Sequence, residues 1–127
     1  MRRDLRLKAT LRLIDEEGQR CFGPGVAALL EGVQEKKSLR AAAGSMGMAY
    51  SKAWRILRTA EEAFGCKLLD STIGGRHGGG AVLTPEAKIL LEGYQRLRRE
   101  TEEYSRARYM EIFTPLLASV ETRQENG

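Results

Sequence analysis

Four side chains able to make hydrogen bonds to a ligand are close together in one segment of the chain: Tyr50, Ser51, Lys52 and Arg55. The apolar spacing around them predicts a helix from Ala49 to Phe64, and its first two turns would carry all four. Arginine can bind guanine O6 and N7 together, and lysine can reach guanine or a phosphate. On the exposed face of one helix, this combination predicts contacts with the base edges of double-stranded DNA.

Three further residues of this region extend the candidate site. Ser38 is a suitable N-cap for a short helix, and helix N-termini present N–H groups that favour a phosphate. Ser38 and Arg40 are therefore candidate contacts to the DNA backbone. Arg58 continues the exposed face of the Ala49–Phe64 helix and joins the candidate set, whereas Trp54 shares a face with Ala53 and Leu57 and is predicted to lie in the core.

A glycine-rich segment, Gly74–Gly80, contains Arg76 and the only histidine, His77. Glycines let a backbone approach a phosphate chain closely, and Arg76 suits a narrow minor groove or backbone oxygens. With Thr72, these two residues are predicted to contact DNA; an unstructured hairpin tip is the alternative. An ATP-binding loop is excluded, because no Gly-Lys-Ser/Thr follows the glycines.

The composition gives little support for a metal site, a catalytic site or a disulfide framework. His77 has no clustered Cys, Asp or second His, so we expect neither a metal site nor a Ser-His-Asp triad, and no enzyme activity. Cys21 and Cys66 are far apart and fit two reduced, partly buried thiols better than a disulfide framework. No segment resembles a signal peptide or a membrane span, which predicts a cytoplasmic protein that does not bind membranes.

The charge distribution favours a polyanionic partner. The chain has a formal net charge of +4, and residues 38–84 contain six Lys or Arg against three Asp or Glu. A locally basic segment suits nucleic acid, although charge alone is weak evidence.

Periodicity and turn residues predict the elements that would position these side chains. Strict alternation of apolar and polar residues over Leu5–Leu13 predicts a strand with one buried face, and Arg20–Phe22 would return as a second strand. We expect helices over 24–36, over 39–45 with Gly47 just beyond its end, and over Ala49–Phe64 with Gly65 ending it. A hairpin over 67–72 and 81–83 follows.

The last predicted element is a long helix. Thr84 would cap it, Pro85 would begin it, and Pro115 would end it at about Phe113. Leu90, Tyr94, Leu97, Thr101 and Tyr104 are spaced 4-3-4-3, which is typical of a helix–helix seam. We therefore expect Leu90, Tyr94, Leu97 and Tyr104 to form a homodimer interface.

The order of elements predicts a mainly α protein with a small β component (α+β). Two short helices joined through a glycine, then a third helix and a hairpin, describe a winged helix-turn-helix. One domain would span 1–113, including a dimerisation helix over 85–113, and a polar tail would occupy 114–127.

Several motifs resemble the DNA-binding domain of ModE-type, molybdate-responsive transcriptional regulators. They are Phe22-Gly23-Pro24-Gly25, Ser38–Ala43, the Ala-Tyr-x-x-Ala-Trp segment at 49–54, the glycine-rich Gly74–Ala81 and Leu83-Thr84-Pro85. The similarity runs from about Leu5 to Leu97, and the same helices less closely resemble LysR-type regulators.

The resemblance implies a dimer formed through the long terminal helix and the N-terminal strands. It also implies that the third helix enters the major groove while the wing contacts the backbone or minor groove. Full-length members carry additional molybdate-binding domains; because this chain ends at Gly127, we expect it to lack them and to need no cofactor. Many relatives have a capping serine where this chain has Ala49.

The favoured hypothesis is a homodimer that binds double-stranded DNA and regulates transcription, most simply by repression. Two alternatives remain open: a winged-helix module that binds a protein partner, and a regulator that responds to molybdate or another oxyanion.

Overall fold

The computed structural model describes residues 4–72 and 80–126. Its elements, in chain order, are β1 (Leu13–Ile14), β2 (Arg20–Phe22), α1 (Pro24–Lys36), α2 (Leu39–Ser45), α3 (Tyr50–Phe64), β3 (Leu69–Thr72), β4 (Gly80–Leu83) and α4 (Pro85–Asn126). Antiparallel pairing joins β1 to β2 and β3 to β4. This order confirms the predicted mainly α, winged helix-turn-helix fold.

The three short helices pack on one apolar core. Val26, Leu29, Leu30 and Val33 of α1 are buried and share the core with Leu57 of α3. Helix α2 lies very close to α1, because a Cβ atom at Gly32 would approach the Ala42 Cβ to 2.7 Å. Small side chains on both helices thus set the spacing of the pair.

Capping residues end the helices where the sequence predicts. The Ser38 hydroxyl accepts a hydrogen bond from the Ala41 N–H at 3.1 Å, which caps α2. Gly47 and Gly65 have positive φ angles of 64° and 70°, and Gly65 is the C-cap of α3. The Thr84 hydroxyl accepts from the Ala87 N–H at 3.1 Å and caps α4. These local predictions are confirmed.

The hairpin is held against the helices by backbone contacts near its base. The Ala81 N–H donates to the Lys37 carbonyl at 2.9 Å, at the connection between α1 and α2. The Thr84 hydroxyl donates to the Lys67 carbonyl at 2.7 Å. The first hairpin strand is β3 at Leu69–Thr72, so it starts two residues later than predicted.

The predicted strand over Leu5–Leu13 is wrong in extent, because β1 covers only Leu13–Ile14. Its partner β2 has three residues, so most of the alternating segment has no backbone to pair with. The exposed fractions of Leu5 and Leu7 are 58% and 43%, and the expected buried face is absent there.

The predicted end of the last helix at Phe113 is also wrong. Helix α4 continues through Pro115 to Asn126, so the residues predicted as a polar tail are helical. A proline removes one backbone hydrogen bond and its ring crowds the preceding turn. Leu116, Leu117 and Ala118 are strong helix formers, and the helix resumes its hydrogen bonding after this single interruption.

Two compact units make up the chain. Thr10–Gln95 form one, and the described parts of Met1–Ala9 and Arg96–Gly127 form the other. Both cysteines are free, with Cys21 buried and Cys66 half-buried. Among the residues that the structure describes, no helix combines the length and the apolar composition needed to cross a membrane.

Candidate nucleic-acid interface

Helix α3 separates an apolar face from a polar one. Ala53, Leu57 and Ala60 are buried against the core. The opposite face is exposed and consists of Ser51, Lys52, Arg55 and Arg58. Three of the four predicted base-contacting side chains, Ser51, Lys52 and Arg55, therefore lie together on one accessible surface.

The first turn of α3 has no side-chain cap. Ala49 is the N-cap residue, with φ −63° and ψ 142°, and no side chain accepts a hydrogen bond from the first backbone N–H groups. Ala49 has no hydroxyl or carboxylate, so it cannot cap this end of α3 through its side chain. Backbone bonds such as that from the Ala53 N–H to the Ala49 carbonyl, at 3.0 Å, help to hold this end.

Aromatic rings and guanidinium groups form a contact chain along one side of α3. The guanidinium carbon of Arg40 lies 4.2 Å from the centre of the Tyr50 ring. The Tyr50 and Trp54 rings meet edge to face with their centres 6.3 Å apart, and the Arg58 guanidinium lies 5.8 Å from the Trp54 ring. This series of contacts was not predicted from the sequence, although the four-residue spacing of Tyr50, Trp54 and Arg58 is a usable signal for it.

Trp54 has two environments. It is half-buried and packs against the core, as predicted, but its ring also contacts Tyr50 and Arg58. Packing against the core holds the Trp54 ring in place, and the Tyr50 ring and the Arg58 guanidinium contact that ring.

A cleft of about 340 Å³ separates the starts of α2 and α3 from the hairpin. Ser38, Arg40 and Tyr50 line it from the helices, and Asp70 and Ser71 line it from β3. The structure thereby brings both candidate phosphate contacts to the same depression as the first residue of α3. Asp70 places one carboxylate in an otherwise cationic or neutral surface.

The predicted wing contacts are only partly visible. Thr72 pairs with Gly80 at the end of the β3–β4 ladder. Arg76 and His77, with most of the glycine-rich segment, lie outside the described residues.

The residues of the predicted dimer seam differ in how much of each side chain is exposed. Tyr94 is buried in its own unit, where its hydroxyl donates to the Leu11 carbonyl at 2.9 Å and its ring centre is 5.0 Å from that of Phe22. Leu90 is half-buried against the same core. The assignment of Tyr94 to a free seam is thus corrected. Leu97 and Tyr104 are 46% and 71% exposed and remain available.

A family model covers the centre of the chain. Residues 27–88 match the model described as "Bacterial regulatory helix-turn-helix protein, lysR family". The match includes all of α2, α3 and the hairpin strands. It describes regulatory proteins rather than enzymes.

Curated relatives agree with the resemblance to ModE-type regulators. The molybdenum transport protein ModE of Herbaspirillum seropedicae is 34% identical over 98 residues, which are 77% of this chain and 35% of that protein. The transcriptional regulator ModE of Haemophilus influenzae is 34% identical over 79 residues, 62% of this chain and 31% of that protein. This chain thus spans about a third of the length of the curated relatives it matches.

Two solved structures are also similar. The BenM DNA-binding domain with catB site 1 DNA aligns with a TM-score of 0.49 and 22% identity, covering 68% of this chain and 91% of that chain. The complex with benA site 1 DNA gives a TM-score of 0.48 and 23% identity, covering 75% and 93%. Residues 27–88 are thus similar to the bacterial regulatory helix-turn-helix proteins of the lysR family.

Proposed function

We propose that this protein binds double-stranded DNA sequence-specifically as a homodimer and regulates transcription, acting in the cytoplasm as a repressor that occupies its operator. The observation that carries the proposal is the exposed face of α3, where Ser51, Lys52 and Arg55 lie together in a regulatory helix-turn-helix domain.

In this proposal α3 enters the major groove. Arg55 would donate two hydrogen bonds to guanine O6 and N7, and Lys52 would reach a neighbouring guanine or a phosphate. Ser51 can donate to a base or accept from one. Among the described residues, none of the three side chains makes a hydrogen bond or salt bridge, so DNA binding would break no internal bond of theirs.

The start of α2 would fix the position of the protein on the duplex. Ser38 and Arg40 line the cleft beside α3 and are placed to contact one phosphate chain. Such contacts set register and orientation but carry no base information directly. The Arg40–Tyr50 contact would keep that cation next to the first turn of α3.

The homodimer proposal rests on exposed apolar side chains of α4. In the unit that contains residues 96–126, the described part has one helix and a short segment over 4–9. Leu97 and Tyr104 are exposed, as are four apolar residues nearer the C-terminus: Ile112, Phe113, Leu116 and Val120. A second copy would bury these side chains, because exposed apolar surface of this kind marks protein contacts.

A two-fold dimer would present two copies of α3 to one face of DNA. Half-sites would lie about one helical turn apart, roughly 34 Å, and the operator would be an inverted repeat.

We also propose that DNA binding by this chain needs no cofactor. The name of the Herbaspirillum seropedicae relative connects that protein with molybdenum, and this chain spans 35% of its length. If this proposal holds, saturating molybdate should leave the melting temperature unchanged, whereas a ligand that binds the folded state would raise it by mass action.

The experiment that tests the proposal is selection of bound fragments from sheared genomic DNA, with Arg55→Ala in parallel. We expect one enriched inverted repeat, and we expect Arg55→Ala to lose about 1–3 kcal/mol on that site and to relax the base preference there. Lys88→Ala removes an equally exposed cation from α4 and should leave enrichment unchanged.

Two outcomes would overturn the proposal in different ways. An enriched site that Arg55→Ala binds as tightly as the parent protein would remove α3 from base recognition. No enrichment at moderate salt, from a folded dimer, would favour a module that binds a protein partner.

A further inference from the structure

A second cleft borders α3 on the side away from the hairpin. Its volume is about 610 Å³, and it lies between α3 and the segment that contains β1, β2 and the start of α1. Lys52 and Arg55 line it from α3, while Arg12 lines it from the residue before β1 and Arg20 from β2. The remaining lining residues are neutral: Gln19, Cys21, Phe22, Gly23, Gly25, Val26, Met48, Ile56 and Thr59.

The charge of this cleft is one-sided. Among the residues that the structure describes, four cationic side chains line it and no aspartate or glutamate does. All four are exposed, and among the described residues none has a salt bridge to a carboxylate. Like charges so arranged repel one another, and that repulsion falls when an anion lies between them.

The Arg12 side chain packs against the backbone of Gly23. A Cβ atom at Gly23 would approach the Arg12 Cγ to 3.3 Å and its Nη1 to 3.5 Å, so this side chain lies directly against the Gly23 backbone. The adjacent Leu11 carbonyl accepts the hydrogen bond from the buried Tyr94 hydroxyl. The strand segment therefore presents Arg12 to the cleft from an anchored backbone.

The two clefts lie on opposite flanks of α3. Ser38 and Arg40 line one, and Arg12 and Arg20 line the other. A helix in the major groove has a phosphate chain on each side, because the groove is only about 12 Å wide. Cations on both flanks of the inserted helix match that pair of chains.

We infer that Arg12 and Arg20 bind backbone phosphates of the duplex on the side of α3 opposite the hairpin. This inference rests on the proposed function and extends its interface to the N-terminal strands. Arg40 and Ser38 would contact one strand of DNA, and the Arg12–Arg20 cleft would contact the other. A duplex fits the open and exposed position of these cations better than a small anion, which needs an enclosing wall to lose most of its water.

The test compares Arg12→Ala/Arg20→Ala with the parent protein and with Lys88→Ala. Duplex affinity is measured across a salt series on the selected operator and on an unrelated sequence, with circular dichroism to verify folding. Each lost phosphate contact should reduce the steepness of the log–log salt dependence by about 0.9. We expect the double variant to weaken binding to both sequences by a similar factor and to flatten the salt dependence, while Lys88→Ala changes neither.

The outcomes separate this inference from the proposed function. A parent protein that binds its operator, with a double variant of equal affinity and salt dependence, overturns the role of Arg12 and Arg20 alone. A parent protein that binds no duplex overturns both proposals. A third outcome also contradicts the inference. Millimolar phosphate or citrate would stabilise the parent without DNA, and the double variant would lose this stabilisation but keep the parent's salt dependence of duplex binding. The cleft would then bind small anions.

Discussion

The guanidinium carbon of Arg40 lies 4.2 Å from the centre of the Tyr50 ring. This contact connects the first turn of α2 with the first residue of α3, and the Tyr50 ring in turn meets Trp54, which packs against the core. The two helix starts that would face DNA are thus linked by a cation over an aromatic ring. An exposed contact of this type contributes about 0.5–1 kcal/mol.

A double-mutant cycle at Arg40 and Tyr50 should measure this link. We expect Arg40→Ala and Tyr50→Leu to be less than additive in the free energy of unfolding, with a coupling of about 0.5–1 kcal/mol. Tyr50→Phe retains the ring and should retain most of the coupling. Strict additivity in urea denaturation would show that the contact does not stabilise the protein.

Ala49→Ser should stabilise the protein. Ala49 already has the extended backbone of an N-cap but offers no acceptor to the first N–H groups of α3. A serine hydroxyl at such a position is worth about 0.5–2 kcal/mol relative to alanine. Thermal unfolding should show a higher melting temperature for Ala49→Ser.

The matched control for this cap is Ala49→Val. Valine adds a side chain at the same position but has no hydroxyl, so it should give no stabilisation. Equal gains from serine and valine would contradict the capping explanation.

The helices could be predicted from the sequence because their signals are local. Ser38 caps α2 and Gly65 ends α3 at the predicted residues, and both signals depend only on neighbouring backbone groups. The exposed face of α3 follows from the same periodicity, since Ala53 and Leu57 identify the buried side.

The wrong predictions concern residues whose secondary structure depends on parts of the protein outside the local sequence pattern. The alternation of polar and apolar residues over Leu5–Leu13 is typical of a strand, but it does not show that β2 offers only three residues to pair with. Pro115 is a strong local stop signal, yet the helix formers after it continue α4. In both cases, residues outside the local pattern determined the extent of the strand or helix.

The parts of the candidate site that were missed are contacts between elements. Arg12, just before β1, and Arg20, in β2, are both exposed, and nothing in their spacing predicts that they line the same cleft as Lys52. Tyr94 fits a seam pattern equally well whether it packs on a partner or on its own core, and only the fold shows its bond to Leu11.

Gly32→Ala should destabilise the protein although alanine favours helix. The new Cβ would lie 2.7 Å from the Ala42 Cβ and 3.3 Å from its Cα, which forces α1 and α2 apart. Overpacking of this kind costs about 1–3 kcal/mol, more than the roughly 1 kcal/mol gained from helix propensity. Urea denaturation should show the loss.

Two further variants test the cause of that loss. Ala42→Gly on the Gly32→Ala background removes the opposing Cβ and should recover part of the stability. Gly25→Ala places a Cβ in open space within the same helix, so it should be neutral or slightly stabilising. If Gly25→Ala were as destabilising as Gly32→Ala, the contact with Ala42 would not be the cause.

Leu116→Asp should shift the protein from dimer toward monomer. Leu116 is 49% exposed and lies among the apolar residues Ile112, Phe113 and Val120 on the last turns of α4. A second copy packed there would have to bury a carboxylate without a partner, which costs several kcal/mol. Sedimentation velocity over a concentration series should show a weaker dimer, and Leu97→Asp should act in the same direction.

Ile89→Asp is the control for this prediction. Ile89 is also exposed, at 69%, but it precedes Leu90 by one residue and so faces a different side of α4 from the seam. It should therefore leave the dimer intact. If Leu116→Asp and Leu97→Asp both sedimented as stable dimers, the exposed apolar residues of α4 would not hold the two copies together, and the symmetry expected of the operator would need another origin.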